Sequence, residues 1–278
     1  MTGGHGDFRP TFFEGGDHRF CACGGTNSLS VVADGVDACV AAAREELRRG
    51  AHMIKIMGSG GVVSPTDPIW MNQYREDEIR AIVNECAERR SYVSAHCHPA
   101  SAVRRCVEFG VRCIEHATLI DDETAAFVAQ AGAYVVPTMG VAFAMAEHGA
   151  ANNLPRDIVA KATEVASYAI ASLDRFRNAG VKVGFGTDLV GHTYVQQCRE
   201  FLLRREVYEP IEILRQATSM GAEVLQMQGQ LGCVAPGAFA DLIAVDGDPL
   251  SNIGLLAADG RELSMIMRGG EIIKNRLS

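Results

Sequence analysis

What this 278-residue chain lacks narrows its class before any motif is read. No apolar run approaches the ~20 residues of a membrane-spanning helix, so no such span is expected. Residues 1–9 are polar and glycine-rich, with neither the basic stretch nor the apolar core of a secretory leader. Positive charge is scarce: 26 Lys and Arg against 34 Asp and Glu give a formal net charge of −8. Such a chain is a poor match to nucleic-acid phosphates. There are only four lysines, Lys55, Lys161, Lys182 and Lys274, so Lys55 inside an apolar run stands out. No G-x-G-x-x-G fingerprint is present, which removes the main signal of a dinucleotide fold.

The nine cysteines are odd in number and irregularly spaced. They read as reduced, buried thiols of a cytosolic protein. Cys21 and Cys23 form a C-x-C pair, incidental on the first reading and a metal or redox pair on the second.

What is present is an alternation. Helical periodicity is expected over 36–49, 76–90, 101–109, 121–131 and 155–179, with two or three further helices between about 197 and 227. Short apolar runs at 52–57, 92–96, 112–116, 133–138 and 181–187 read as strands between them. Strands alternating with helices through short connections imply βα units and a parallel sheet. Five such units in succession point to a (β/α) barrel rather than a doubly wound sheet. The end of the chain changes character. Short strands at 241–245, 264–268 and 271–274, the last two joined through Gly269-Gly270, suggest a small β-structure. The division expected is 1–230 for the barrel part and 231–278 for the appended β-part.

Metal-competent residues fall at the strands. The first holds Lys55, the second ends in Ala95-His96-Cys97-His98, the third in Ile114-Glu115-His116, and the last in Gly186-Thr187-Asp188. In a parallel barrel the C-terminal strand ends share one face, where catalytic groups converge. Two or three neutral imidazoles plus a carboxylate there suit a borderline cation such as Zn²⁺. Singly, each has an ordinary explanation: a hydrogen-bonded strand-end histidine, an Asp188 helix cap, a Lys55 that snorkels to water. The conjunction is harder to explain that way. Burial in an apolar strand disfavours the charged form of an amine. A neutral amine can add CO₂ to become a carbamate, an anionic bidentate oxygen ligand able to bridge two cations.

These motifs, with Thr2-Gly-Gly-His5-Gly-Asp7, Ile54-Lys-Ile-Met-Gly-Ser-Gly60-Gly61-Val62, Val136-Pro-Thr138, Ala217-Thr-Ser219 and the run from Gly232 to Asp246, resemble the metal-dependent amidohydrolase superfamily. The resemblance runs to the branch of imidazolonepropionase-related enzymes, Xaa-Pro dipeptidases and related carboxypeptidases. It implies a (β/α)8 barrel with a small β-domain, and hydrolysis of carbon–nitrogen bonds of small molecules, dipeptides among them. One or two divalent cations, Zn²⁺ by default, are implied, with Lys55 as the carboxylated bridging lysine. His96 and His116 are implied as metal ligands, and Asp188 as ligand and catalytic carboxylate. His98, Gly60, Gly61 and His5 are implied as substrate contacts, although a structural role for His5 is the stronger reading from the residues alone.

The family's His-x-His pair on its first barrel strand has no counterpart upstream of Lys55. The chain is therefore expected to open at the third strand–helix unit, with the first strands of barrel and small domain missing. Three explanations follow: a fragment of a longer enzyme, which is favoured, half of an enzyme completed by a second chain, or a degenerate homologue. The competing functions are an incomplete, non-catalytic barrel needing a partner chain or a second copy, and a phosphotriesterase or lactonase. The partners expected are a small-molecule substrate and a homo-oligomer or complementing chain, with no nucleic acid and no membrane.

Overall fold

Five parallel strands lie side by side in the order in which the chain makes them. They are β1 (Ile54–Met57), β2 (Val93–Pro99), β3 (Cys113–Leu119), β4 (Tyr134–Val136) and β5 (Lys182–Val183). This computed structural model describes residues 1–3, 30–64 and 67–277, the His192 side chain excepted. His5, Cys21 and Cys23 therefore lie outside the described residues.

The helices are α1 (Val36–Arg48), α2 (Glu76–Glu88), α3 (Ala100–Glu108), α4 (Asp122–Ala131), α5 (Met139–His148), α6 (Arg156–Ala179), α7 (Arg199–Arg204), α8 (Pro210–Ala217) and α9 (Ser219–Val224). Local chemistry sets several ends. Asp121 accepts a hydrogen bond from Thr124 N at 2.7 Å and caps α4, which stops at Gly132 with φ 69°. Gly180, with φ 72°, ends α6 in the same way.

Side-chain alternation divides the sheet into two faces. Ile54, Ile56, Val93, Ala95, Cys97, Ile114, Val135 and Val183 join one apolar cluster with residues of α1 to α4 and α6. All these helices thus pack on one side of a sheet in sequential order, the geometry of an arc of a (β/α) barrel. Each fully buried Ile in that layer contributes about 1.5–3 kcal/mol by leaving water. The other face, toward the barrel lumen, carries Lys55, Met57, His96, His98 and Glu115. Its lower part is closed by a second cluster of Tyr92, Cys113, Tyr134, Val136 and Val224. Among the described residues β1 and β5 are not paired with each other, so the arc is open.

β6 (Leu242–Val245), β7 (Leu263–Arg268) and β8 (Glu271–Asn275) form a separate antiparallel sheet. Gly269 and Gly270 have φ 56° and 85°, the positive values a two-residue hairpin turn needs. A 3₁₀ turn at Ile253–Ala257 sends Ile253 and Leu256 into the main core and ties this sheet to the barrel arc.

One expectation is adjusted, one helix is added, and the 197–227 expectation holds. The 181–187 run pairs only at Lys182–Val183, because Gly184 and Gly186 follow and a Cβ at Gly186 would stand 2.6 Å from Val136 Cγ1. Helix α5 arises where no helical periodicity was read. The 197–227 region resolves into three helices, α7, α8 and α9. Cys39, Cys86, Cys97, Cys106 and Cys113 are free and buried, as expected of structural thiols, but Cys198 is only partly buried and Cys233 is exposed, so burial does not extend to every cysteine.

Candidate active site

β2 directs His96 and His98 to the lumen as residues i and i+2, while Cys97 between them faces α3. β3 needs a different device. Glu115 points into the lumen, where Ser94 Oγ donates to its carboxylate. Strict alternation would then send His116 outward. Instead His116 (φ 71°) and Ala117 (φ 49°) adopt left-handed backbone, and the β2–β3 register shifts beside them. This irregularity turns His116 inward and Ala117 into the outer core.

The three imidazoles meet. Ring centroids are 4.6 Å apart for His96–His116, 4.8 Å for His96–His98 and 5.1 Å for His98–His116. Each is buried and each has one nitrogen held. His96 Nε2 lies 3.0 Å from the Gly60 carbonyl oxygen, which fixes this nitrogen as the N–H donor. His98 Nδ1 lies 3.3 Å from Thr118 Oγ1, and His116 Nδ1 bonds Thr138 Oγ1. Among the described residues no hydrogen bond holds the other nitrogen of each ring, an arrangement compatible with an outer partner orienting a metal-binding histidine. Burial pushes His96 down to about 4, against the Gly60 bond that raises it. Burial also holds His98 and His116 well below the ordinary histidine range, so all three are neutral at pH 7.

Lys55, Gly61, Met57, His96, His98, His116 and Asp188 line one cavity of about 320 Å³. Asp188 has φ 54°, and its carboxylate is reachable from the cavity while crowded by protein atoms. Desolvation raises its pKa above the usual carboxylate range, Lys55 opposes the rise, and Glu115 adds to it. Thr138, with φ 48°, joins His116, Ala117 and Asp188 in the left-handed region. Backbone strain therefore gathers at the cavity, as it does at functional sites. The remaining wall is largely apolar, built from Val62, Val63, Pro137, Met139, Val141, Ala142, Met145, Val165 and Ala169, with Thr2, Ser30, Ser64, Asp67, Thr118, Thr138 and Ser172 as its polar members.

The loop after β1 brings the glycines. Gly61 lines the cavity, whereas Gly60 contributes its carbonyl to His96. Lys161 on α6 clamps this loop, donating to Ser64 O at 2.8 Å and Gly61 O at 3.3 Å. A Cβ at Gly60 would collide with the Pro68 carbonyl, 2.6 Å from its carbon and 2.8 Å from Asp67 O. Gly60→Ala must therefore shift backbone against backbone. The expected loss is about 1–3 kcal/mol in urea unfolding, and an unchanged midpoint would contradict this packing.

The donor chemistry fits a borderline divalent cation on one open side of the lumen. Among the described residues, however, no group of three or more His, Cys, Asp or Glu side chains is arranged to enclose one. Sequence reasoning missed the threonines that hold the rings. Thr138 sat in the Val136-Pro-Thr138 motif, whereas Thr118 carried no signal of its own.

The Amidohydrolase family model matches residues 16–273. A crystal structure of an amidohydrolase superposes with TM-score 0.93 at 45% identity, covering 100% of this chain and 68% of that one. A prolidase crystallised with N-methylphosphonate-L-proline superposes with TM-score 0.92 at 45% identity, covering 99% of this chain and 67% of its own. Ochratoxinase of Aspergillus niger is 30% identical over 247 residues, which are 87% of this chain and 50% of that protein. The chain thus spans about half the length of ochratoxinase.

Proposed function

Because the chain belongs to the Amidohydrolase family, we propose that it provides the active-site half of a hydrolase for amide bonds of small molecules, dipeptides among them. The observation that carries this reading is the meeting of three buried, neutral imidazoles with Lys55 and Asp188 in one cavity. Similarity to a prolidase and to ochratoxinase supports an amide as the scissile group. The prolidase ligand carries a tetrahedral phosphonate where an acyl carbonyl would join proline, which is the shape of an amide under attack by water.

His96 and His116 would hold a divalent cation, Zn²⁺ by default, with Lys55 (as its carbamate) and Asp188 completing the oxygen donors. A cation bound there supplies a polarised carbonyl and a water of lowered pKa. Asp188 is the group that accepts the water's proton and passes it to the departing amine nitrogen. The Gly60 carbonyl keeps His96 in one tautomer, and the Thr118 and Thr138 hydroxyls orient the rings of His98 and His116. The apolar wall accepts an apolar acyl or amine substituent and excludes water around it.

The test is hydrolysis of N-acyl amino acids, Xaa-Pro and other dipeptides, lactones and phosphotriesters by the purified chain, before and after loading with Zn²⁺, Co²⁺ or Mn²⁺. Metal-dependent turnover confined to the amides is expected. Turnover confined to lactones or phosphotriesters would overturn the amide assignment.

A second reading has its own support, since no group of three or more His, Cys, Asp or Glu side chains among the described residues is arranged to hold a metal, and the sheet arc is open. In that reading this chain needs a complementing chain or a second copy for activity. Size measurement alongside the assay separates the two: turnover confined to an oligomeric fraction favours complementation.

A further inference from the structure

Away from the cavity wall, α7 carries two charged side chains with no exposure, Glu200 and Arg204, paired at 3.0 Å. Neither belongs to a motif noted in the sequence. Burying two charges contributes little net stability even when they pair. What this pair does supply is direction.

Glu200 Oε2 accepts a hydrogen bond from Gly140 N at 2.7 Å, in the first turn of α5. That helix begins at Thr138, whose hydroxyl bonds His116 Nδ1. Arg204 Nη1 donates to Gly184 O at 2.8 Å, where the chain leaves β5 toward Asp188. The two branches join again, because Val141 N donates to Thr187 O at 3.1 Å, one residue before Asp188. Gly140 sits where the branches meet: a Cβ there would be in ordinary van der Waals contact with Glu200 Oε2 at 3.4 Å, Leu189 Cδ1 at 3.6 Å and Thr187 Cβ at 3.7 Å. A second acceptor, Gln216 Oε1, lies 2.7 Å from Arg204 Nη1, and the guanidinium lies 4.6 Å from the Phe185 ring centroid.

We propose that the buried Glu200–Arg204 pair is a positioning device that sets His116 and Asp188 relative to each other, through the start of α5 on one side and the exit of β5 on the other. Neither residue lines the cavity, so the pair acts through Thr138 and the Gly184–Asp188 backbone rather than on substrate. The inference deepens the amide-hydrolase reading of this site and rests on it.

Removing one partner would leave an unpaired buried charge and endanger folding. The test therefore uses the double variant Glu200→Leu/Arg204→Met, which removes both charges at similar volume. Two readouts are taken. The first is turnover on an amide the parent hydrolyses: kcat is expected to fall about 30-fold or more with KM within about 3-fold, as misplacement of reacting groups does. The second needs no turnover: long-range ¹H–¹⁵N correlation of histidine-labelled chain, with His116 assigned from a His116→Gln sample. The parent is expected to show one fixed His116 tautomer, and the folded double variant an average of two.

A folded double variant with parental kcat and a parental His116 signal would overturn the proposal. A parent without amide turnover would sink the hydrolase reading alone and leave the ring signal to decide the positioning role. If the double variant does not fold, Arg204→Lys replaces it, since an ammonium donates from a single point and lacks the separate Nε that serves Glu200 and Nη1 that serves Gly184 and Gln216. Intermediate kcat and partial tautomer averaging are then expected, and parental values for both would again overturn the proposal.

Discussion

Asp188→Asn is expected to lower kcat for amide hydrolysis by about 10³-fold with KM within about 3-fold, the signature of an interaction made in the transition state. The substitution changes almost nothing in shape. It removes the property the proposed mechanism asks of this residue, a carboxylate that takes up a proton and gives it back. Asp188 is suited to that task by its surroundings. Desolvation raises its pKa above the ordinary aspartate value, Lys55 opposes this, and Glu115 reinforces it. No hydrogen bond occupies its carboxylate among the described residues, so the group is available to water and to a leaving amine. Its left-handed backbone and its attachment to α5 through Thr187 hold it at the cavity. Steady-state kinetics and bound-metal analysis on the same samples check the prediction. Near-parental turnover in the asparagine variant would remove Asp188 from proton transfer. Turnover lost together with the metal would instead make it chiefly a ligand.

Much of this architecture was legible in the sequence because it is written in periodicity. The alternation of short apolar runs with amphipathic stretches marks five strands and the helices between most of them. Gly269-Gly270 marks the hairpin through its need for positive φ. The convergence of Lys55, His96, His116 and Asp188 on one cavity follows from strand ends sharing a face.

What escaped shares a physical reason: it depends on contacts between distant residues. α5 was invisible because it has no polar stripe. Its sequence, MGVAFAMAEH, buries Met139, Gly140, Ala142 and Ala144, some toward the cavity and some toward the segment after β5. The inward turn of His116 could not be read either, since alternation from Glu115 predicts the opposite face and only the bulge corrects it. Glu200 and Arg204 look like one more surface i, i+4 pair, the commonest reading of such charges on a helix. Only the packing of α7 against α5 and the β5 exit takes both out of water. Gly60 was legible as part of a glycine-rich loop, but not as the carbonyl that fixes the tautomer of His96.

Lys55→Ala is expected to reduce metal-supported turnover by at least about 100-fold, with part of the loss restored by acetate or propionate. The argument starts from electrostatics. As an ammonium, Lys55 works against positive charge in the cavity: its field lowers the pKa values of His96 and His116. A divalent cation beside those rings would meet the same repulsion. Conversion of the amine to a carbamate reverses the sign and adds two oxygen donors, and the position allows it. Lys55 is half-buried on β1, in register with Ser94, and opens directly into the cavity. Alanine removes both the repulsion and the donors. If repulsion were the larger effect, the variant would bind metal better than the parent. If the carbamate is the ligand, metal retention falls, and a small carboxylate diffusing into the vacated space supplies equivalent oxygens. ¹³C-bicarbonate gives an activity-independent check: a carbamate resonance is expected in the parent and not in Lys55→Ala. Full turnover in the alanine variant, or tighter metal binding without any carbamate resonance in the parent, would overturn the bridging role of Lys55. The imidazoles and Asp188 would then be left as the proposed cation site among the described residues.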